Sequence, residues 1–198
     1  MVVEKKSKVE YSTTNWAGGL TTEILINPLT SSLKQRDFDF RISTATVTAS
    51  KSIFSNFIGY ERIIMSLDAP ISLQQKNIIT PLRPFEVYRF DGQHEVKSLG
   101  QCQDFNVIFK KNCDVWIDVM KNRDIKSLFN NGINILYTLQ AVIVKLIAPD
   151  RTEKILLQEG ETLILNKESF EQLQVIKQKE SVMKEKIAIL TQIKDKTE

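Results

Sequence analysis

Metal-binding side chains are scarce in this sequence, which has one histidine, His94, and two cysteines, Cys102 and Cys113. A transition-metal site needs three or four convergent ligands, and no His-x-His pair can form here. The cysteines lack CxxC spacing, so we expect reduced thiols. The sequence therefore predicts a protein without a metal or other cofactor, in which His94 occupies a polar turn between strands.

Long apolar runs and clustered basic residues are also missing. No stretch approaches the roughly 20 apolar residues of a membrane helix, and no apolar signal segment follows the first charges, so we expect a cytoplasmic protein without a membrane partner. Lys+Arg number 27 against 24 Asp+Glu, and the basic residues are scattered, which argues against a nucleic-acid partner. The motifs GxSxG and GxGxxG are absent, and "AGGLTT" (17–22) lacks the lysine and the spacing of a phosphate-binding loop.

Alternating β-strand patterns dominate what is present. Ten runs rich in Ile, Val, Phe, Tyr and Thr are bounded by Gly, Pro, Asn or Asp, which is typical of strands joined by turns. The segment "NRDIKSLFNN" (122–131) alone indicates a short helix. The strand runs are 38–47, 61–69, 85–90, 103–109 and 114–119, followed by 135–148, 153–158, 161–166, 171–177 and 185–194.

The two halves of the chain repeat one order of predicted elements: a paired strand, a turn into a short strand, and two returning strands. Many short strands without intervening helices favour a sandwich or barrel. We predict an all-β fold, a double-stranded β-helix or cupin-like jelly roll, duplicated as a bicupin with two β-sandwich lobes. The expected lobes are residues 1–120 and residues 121–198, the second completed by N-terminal strands.

Polar residues inside two strands point to a cavity. Arg41 and Ser43 share one face of the first run, and Asp104 and Asn106 share one face of the fourth. In a sandwich with a ligand cavity, such faces line the cavity, and an arginine there matches a carboxylate through two parallel hydrogen bonds. Two alternatives stay open: the side chains face outward, or Arg41 and Asp104 form an internal structural ion pair.

Five segments, in order, resemble the HutD/Ves family over most of the N-terminal half. The resemblance implies a cytoplasmic bicupin without a metal cluster, often encoded with histidine-utilisation enzymes. It also implies binding of a small carboxylated intermediate, such as formylglutamate or urocanate, that restrains the pathway. The segments are "NWAGGLTTEILINP" (15–28), "DFDFRISTATV" (37–47), "FSNFIGYERIIMSLDA" (54–69), "LRPFEVYRFDG" (82–92) and "DFNVIF" (104–109).

The resemblance implies a set of ligand-binding residues. This chain departs from the family at Thr22, where many relatives carry arginine. One positive charge is therefore missing, and Arg41 is left as the stronger candidate to bind the ligand carboxylate. The residues carried over are Trp16, Gly18, Arg41, Ser43, Arg62, Phe90, Asp91, Asp104 and Asn106.

Structural roles stay open for several of these residues. Trp16 could cover a pocket or pack normally, and Phe90 could belong to the core. Arg62 could pair at the surface with Glu61 or Asp68.

Three hypotheses follow for function. The first is a non-catalytic protein that binds a small carboxylate through Arg41 and regulates histidine utilisation. The alternative is a metal-independent cupin enzyme, an isomerase or hydrolase, with Asp104 as general base and an arginine stabilising the oxyanion. The third is an interaction protein that uses an open sheet edge or the 121–131 segment. A homodimer is compatible with each.

Overall fold

Strands form nearly all of the regular structure. The computed structural model describes residues 2–166, 170–178 and 185–196. In these residues there are nineteen strands and one 3-10 helix, Lys8–Glu10. No helix in the described ranges has the length and apolar character needed to cross a membrane. The all-β prediction is confirmed.

The strands are numbered in chain order. They are β1 (Val2–Lys6), β2 (Ser12–Trp16), β3 (Gly19–Asn27), β4 (Phe40–Val47), β5 (Lys51–Ile53), β6 (Tyr60–Ser66), β7 (Ile71–Gln75), β8 (Ile78–Leu82), β9 (Tyr88–Asp91), β10 (Lys97–Leu99), β11 (Cys102–Lys110), β12 (Cys113–Lys121), β13 (Ile125–Ser127), β14 (Ile133–Thr138), β15 (Val142–Ile147), β16 (Thr152–Leu157), β17 (Thr162–Asn166), β18 (Gln172–Lys177) and β19 (Lys186–Asp195).

The chain divides into two compact units. The first unit comprises residues 11–112, and the second comprises residues 1–10 with 113–198. Residue 120, where the sequence pattern placed the boundary between lobes, lies within β12. Each unit contains two antiparallel sheets. Strand orders are β2-β3-β4-β11-β6-β9 and β5-β10-β7-β8 in the first unit, and β1-β17-β14-β19-β12 and β13-β18-β15-β16 in the second.

The two units repeat the same strand topology. Adding eight to each strand number converts β4-β11-β6-β9 into β12-β19-β14-β17, and β5-β10-β7-β8 into β13-β18-β15-β16. The extra strands β2 and β3 extend one large sheet beyond β4, and β1 extends the other beyond β17. Eight strands in two sheets are a jelly roll, and the chain contains this arrangement twice.

Strand β11 lies at the centre of the large sheet in the first unit and is buried on both faces. It pairs with β4 and with β6. Phe105, Val107 and Phe109 on one face are almost fully buried, and so is Asp104 on the other. Because side chains alternate between faces, a strand of this type combines large apolar residues with polar ones. The polar face is the one turned toward the second sheet of the unit.

The helix predicted over residues 122–131 is wrong. Ile125–Ser127 forms β13, which pairs with β18. Before it, Asp124 Oδ2 accepts the backbone N–H of Lys121 at 2.8 Å, and Asn122 Oδ1 accepts that of Lys177 at 2.9 Å. These side chains form turns and bridge to β18 in place of a first helical turn, as Asn and Asp often do.

Candidate functional site

A cavity of about 300 Å³ lies between the two sheets of the first unit. We call it the Arg62 cavity. The larger sheet supplies its polar side, and residues in and after β5 supply the opposite side. The lining residues are Thr14, Trp16, Thr21, Leu33, Arg41, Ser43, Ala45, Val47, Ser52, Ile53, Phe54, Ser55, Phe57, Arg62, Asp104, Asn106 and Ile108.

A wider depression of about 680 Å³ near Pro70 and Pro81 is a weaker candidate. Its charged lining residues, Arg83 and Glu86, already form an ion pair at 2.6 Å. The pair is exposed and joins neighbours in the chain, so it is a surface contact rather than a convergent site.

Strand register assembles the polar wall of the Arg62 cavity in rows. On β11, Ile108 lies opposite Arg41 of β4 and Arg62 of β6. Asn106 lies opposite Ser43 in the next row. Cross-strand neighbours in an antiparallel sheet point to the same face, so residues distant in sequence line a single cavity.

Arg41 is held by partners within its own sheet. Its Nε donates to Glu23 Oε2 at 2.6 Å, and its Nη1 donates to Ser43 Oγ at 3.1 Å. Glu23 reaches it beside an irregularity in the β3–β4 register between Glu23 and Leu25. The internal partner of Arg41 is therefore Glu23, and the alternative of an Arg41–Asp104 pair is wrong.

Arg62 has a different environment, because its guanidinium is buried and forms no ion pair with any residue that the structure describes. The residue is 5% exposed. Nη1 donates to the Ser55 carbonyl at 3.1 Å, and buried Nε has no hydrogen-bond partner among the described residues. Its Cζ lies 4.7 Å from the ring centre of Phe54, 5.4 Å from Phe90 and 5.7 Å from Phe57.

Burial lowers the pKa of Arg62 to about 10; the charge of Asp104 opposes this shift, and the charge of Arg41 adds to it. The group stays cationic at neutral pH. The alternative of surface pairing with Glu61 or Asp68 is wrong, because Arg62 is buried and Glu61 Oε2 accepts instead from Arg89 Nε at 2.5 Å. Arg62 is therefore a desolvated cation enclosed by aromatic rings and facing the cavity.

Two acceptor oxygens complete the polar wall. Asp104 is 3% exposed, and its Oδ1, like Oδ1 of Asn106, is buried and accepts no hydrogen bond from the described residues. Burial raises the pKa of Asp104 to about 7; Arg62 and the Ala45 backbone N–H lower it, and Asp68 raises it further. Unsatisfied buried oxygens are rare in folded proteins and call for a partner.

The structure brings together six of the nine residues carried over from the family. Trp16, Arg41, Ser43, Arg62, Asp104 and Asn106 line the cavity, whereas Gly18 does not. Trp16 is 39% exposed and belongs to the rim. Phe90 is buried in an apolar cluster beneath Arg62 and does not line the cavity. Asp91 is not part of the lining either, and its Oδ2 accepts from Lys111 Nζ at 2.6 Å. His94 is exposed and lies outside the cavity.

Sequence reasoning missed three residues that shape the site. Glu23 neutralises Arg41, whereas Phe54 and Phe57 enclose Arg62. All three belong to the segments that carry the family resemblance, and this was the available signal. Their roles depend on pairings between distant strands, which the alternation of side chains does not specify.

The second unit has apolar residues at the positions equivalent to Asp104 and Asn106. Asp104 lies opposite Ser66, the last residue of β6, and Ala188 lies opposite Thr138, the last residue of β14. Ala188 is therefore the structural equivalent of Asp104, and Leu190, two residues along β19, is the equivalent of Asn106. Both belong to the apolar core of that unit. The equivalent of Arg62 in the same register is Asn134, which is buried and accepts a hydrogen bond from Gln192 Nε2 at 2.7 Å.

The donor set of the cavity suits an organic anion. Among residues 2–166, 170–178 and 185–196, no group of three His, Cys, Asp or Glu side chains is placed to hold a metal ion. The cavity instead offers a guanidinium, an amide and a carboxyl group on an apolar, aromatic background, the usual composition of a small-molecule site.

Comparison with known proteins gives one family match and several similar folds over nearly the whole chain. Residues 8–183 match the sequence model of the family described as HutD. HutD from Pseudomonas fluorescens SBW25, solved in a formate condition, is 18% identical, with a TM-score of 0.77 over 99% of this chain and 100% of that one. A conserved protein of unknown function from Pseudomonas aeruginosa PAO1, PA5104, is 20% identical, with a TM-score of 0.78 over 100% of both chains. Oxalate decarboxylase from Lactobacillus farciminis, solved as a formate complex, is 7% identical, with a TM-score of 0.61 over 98% of this chain and 86% of that one. No curated protein gives a significant match.

Proposed function

We propose that this chain, which belongs to the HutD family, binds a small carboxylated metabolite in the Arg62 cavity. The observation that carries the proposal is the buried Arg62 guanidinium, which has an unpartnered Nε and no ion pair among the described residues. Burying a cation without a partner is costly. A ligand carboxylate would supply that partner, with the planar fork of Arg62 matched to its two oxygens.

The charges of the cavity support an anion rather than a neutral ligand. Glu23 forms an ion pair with Arg41 at 2.6 Å, whereas Arg62 has no ion-pair partner among the described residues. The proposed clamp is therefore Arg62, in place of the Arg41 clamp expected from the sequence. Arg41 holds Ser43 and the adjacent wall in position.

The acceptor oxygen of Asn106 favours a ligand that also carries an N–H or O–H donor. Both formylglutamate and urocanate combine a carboxylate with an N–H group. A cavity of about 300 Å³ is at the lower end of the range for small-molecule sites. In keeping with the family's association with histidine utilisation, we propose that binding of such an intermediate regulates that pathway.

The test is calorimetric titration of the protein with formylglutamate, urocanate and formate, the smallest carboxylate. We expect Arg62→Met to weaken binding about tenfold to a hundredfold, because a charge-assisted hydrogen bond contributes about 1.5–3 kcal/mol. Arg83→Met is the matched control: Arg83 has 85% side-chain exposure and lies outside the cavity, so affinity should be unchanged.

Stability of the ligand-free protein separates a binding role of Arg62 from a structural one. Replacing a desolvated, unpaired cation with an apolar side chain of similar length should leave the melting temperature unchanged or raise it. A large drop in the melting temperature of Arg62→Met, with no binding of any of the three acids to the wild type, would contradict the proposal.

One observation favours a second candidate function, a metal-independent enzyme. A carboxyl group with a pKa of about 7, buried in a cavity beside an arginine, has the properties of a general base. NMR spectra of formylglutamate and urocanate incubated with the protein would show new resonances or deuterium exchange if this candidate is correct. Unchanged spectra alongside measurable binding would favour the binding protein.

A further inference from the structure

Asp104 shares the cavity wall with Arg62, yet the two do not form an ion pair. Arg62 lies on β6, and Asp104 lies on β11 opposite the end of the same strand. The buried Oδ1 of Asp104 accepts no hydrogen bond from the described residues. A buried carboxylate in this position is poorly stabilised, whereas a neutral carboxylic acid would leave the charge of Arg62 free for a ligand.

We infer that Asp104 is protonated when the ligand is bound and donates a hydrogen bond to the ligand carboxylate, so that one proton is taken up with each anion. This inference rests on the function proposed above and adds a role that the sequence pattern did not indicate. The proton comes from solvent and binds a carboxylate oxygen of Asp104, and no covalent bond of the ligand changes. A carboxylic acid kept neutral by an apolar site can donate to an anion in this way.

The groups surrounding Asp104 are compatible with this proton uptake. Arg62 on β6 favours the ionised form, whereas Asp68, which follows β6, disfavours it. Cys102 on the same strand remains a thiol, since burial and the nearby Asp104 raise its pKa to about 11. Arg41 on β4 is already neutralised by Glu23 on β3.

The opposing wall adds no charge. Its lining residues in and after β5 are Ser52, Ile53, Phe54, Ser55 and Phe57. An anion that enters the cavity therefore adds a negative charge near Asp104. Because like charges repel, the anion raises the affinity of Asp104 for a proton.

Proton uptake is measured by calorimetric titration at one pH in buffers with different ionisation enthalpies. Formylglutamate and formate are suitable probes because neither has a group that titrates between pH 6 and 9. Since the ligand-free pKa of Asp104 is about 7, we expect uptake near one proton at about pH 8 and near zero at about pH 5, where Asp104 is already protonated. Affinity should fall about tenfold per pH unit above pH 7.

Asp104→Asn mimics the neutral acid and should abolish the uptake. Its affinity should no longer fall above pH 7, which makes it about tenfold tighter than wild type at pH 8. Asp68→Asn is the matched control: Asp68 is exposed and outside the lining, so uptake should persist.

Each outcome has a distinct meaning. Binding to the wild type without proton uptake at pH 8 would overturn this inference and leave the proposed function intact. Uptake that persists in Asp104→Asn would overturn it too, because the proton would then bind elsewhere. Failure of formylglutamate, formate and urocanate alike to bind would overturn the proposed function itself.

Discussion

The two arginines that line the Arg62 cavity differ in their hydrogen-bond partners, and therefore in which N–H groups remain free to bind a ligand. Arg41 has Nε on Glu23 and Nη1 on Ser43. Arg62 has the Ser55 carbonyl and three aromatic rings but no carboxylate partner among the described residues. Both lie on strands and both were candidates from the sequence. The difference between them arises from strand pairing: β3 places Glu23 opposite Ser43, beside Arg41, whereas the cross-strand neighbours of Arg62 are Ile108 and Phe90.

At the scale of single residues, Asp104 should make stability depend on pH. Its folded pKa of about 7 exceeds the unfolded value near 4, so the folded state retains its proton while the unfolded state has lost it. Stability should therefore fall as pH rises from about 4 to about 7, by up to a few kcal/mol, and stay low above that range. Asp104→Asn should raise the melting temperature at pH 8 and change it little at pH 4. Equal shifts at both pH values would contradict this assignment.

At the scale of elements, the β2–β3 hairpin forms the rim of the cavity. Its strands pair through Trp16 opposite Gly19. Trp16 lines the cavity and packs against Gly18, where an added Cβ would lie 1.9 Å from the indole ring. The missing side chain at Gly18 is thus what allows the indole to lie over the rim.

Gly18→Ala should displace Trp16 from the rim, because a ring at the end of a flexible side chain moves more easily than backbone. We expect red-shifted Trp16 fluorescence and weaker binding of formylglutamate. The measurement is made in a Trp116→Phe background, which leaves Trp16 as the reporter, since the sequence has two tryptophans. An unchanged emission maximum would show that the indole does not rest on Gly18.

At the scale of the whole molecule, the two units share one jelly-roll topology but differ in the residues at equivalent positions. The first unit has Arg62, Asp104 and Asn106 facing its cavity, and the second has Ala188 and Leu190 at the equivalent places of Asp104 and Asn106. Apolar packing stabilises, whereas a cavity with polar walls costs stability. The second unit therefore has apolar core residues at these two positions, and the first has the candidate site.

Core truncation in the second unit should affect stability without affecting binding. Leu190 is fully buried, so Leu190→Ala should destabilise the protein by about 2–5 kcal/mol, measured by urea-induced unfolding. Below the unfolding transition, formylglutamate affinity should change less than twofold. Ile64→Ala in the first unit, beside Asn106 in the β6–β11 register, should lower both stability and affinity. A large affinity loss in Leu190→Ala would place part of the site outside the first unit.

The sequence by itself determined the fold class, the family and which polar residues share a strand face. Period-two alternation identified the strands and put Arg41 with Ser43 and Asp104 with Asn106, because side chains alternate strictly along a strand. Five ordered segments identified the family, which the match over residues 8–183 confirms.

Only the tertiary structure decided which charges meet. Alternation shows which residues share a face but not which face is inside, nor which strand pairs with which, so Glu23 could not be assigned to Arg41. Alternation also could not show that Arg62 is buried, or that Phe90 lies beneath Arg62. Residues 122–131 contain too short an apolar run for periodicity to separate helix from strand, and pairing with β18 made Ile125–Ser127 a strand. Pairing between strands that are distant in sequence determines which side chains become partners. These partnerships determine which polar groups remain free to bind a ligand.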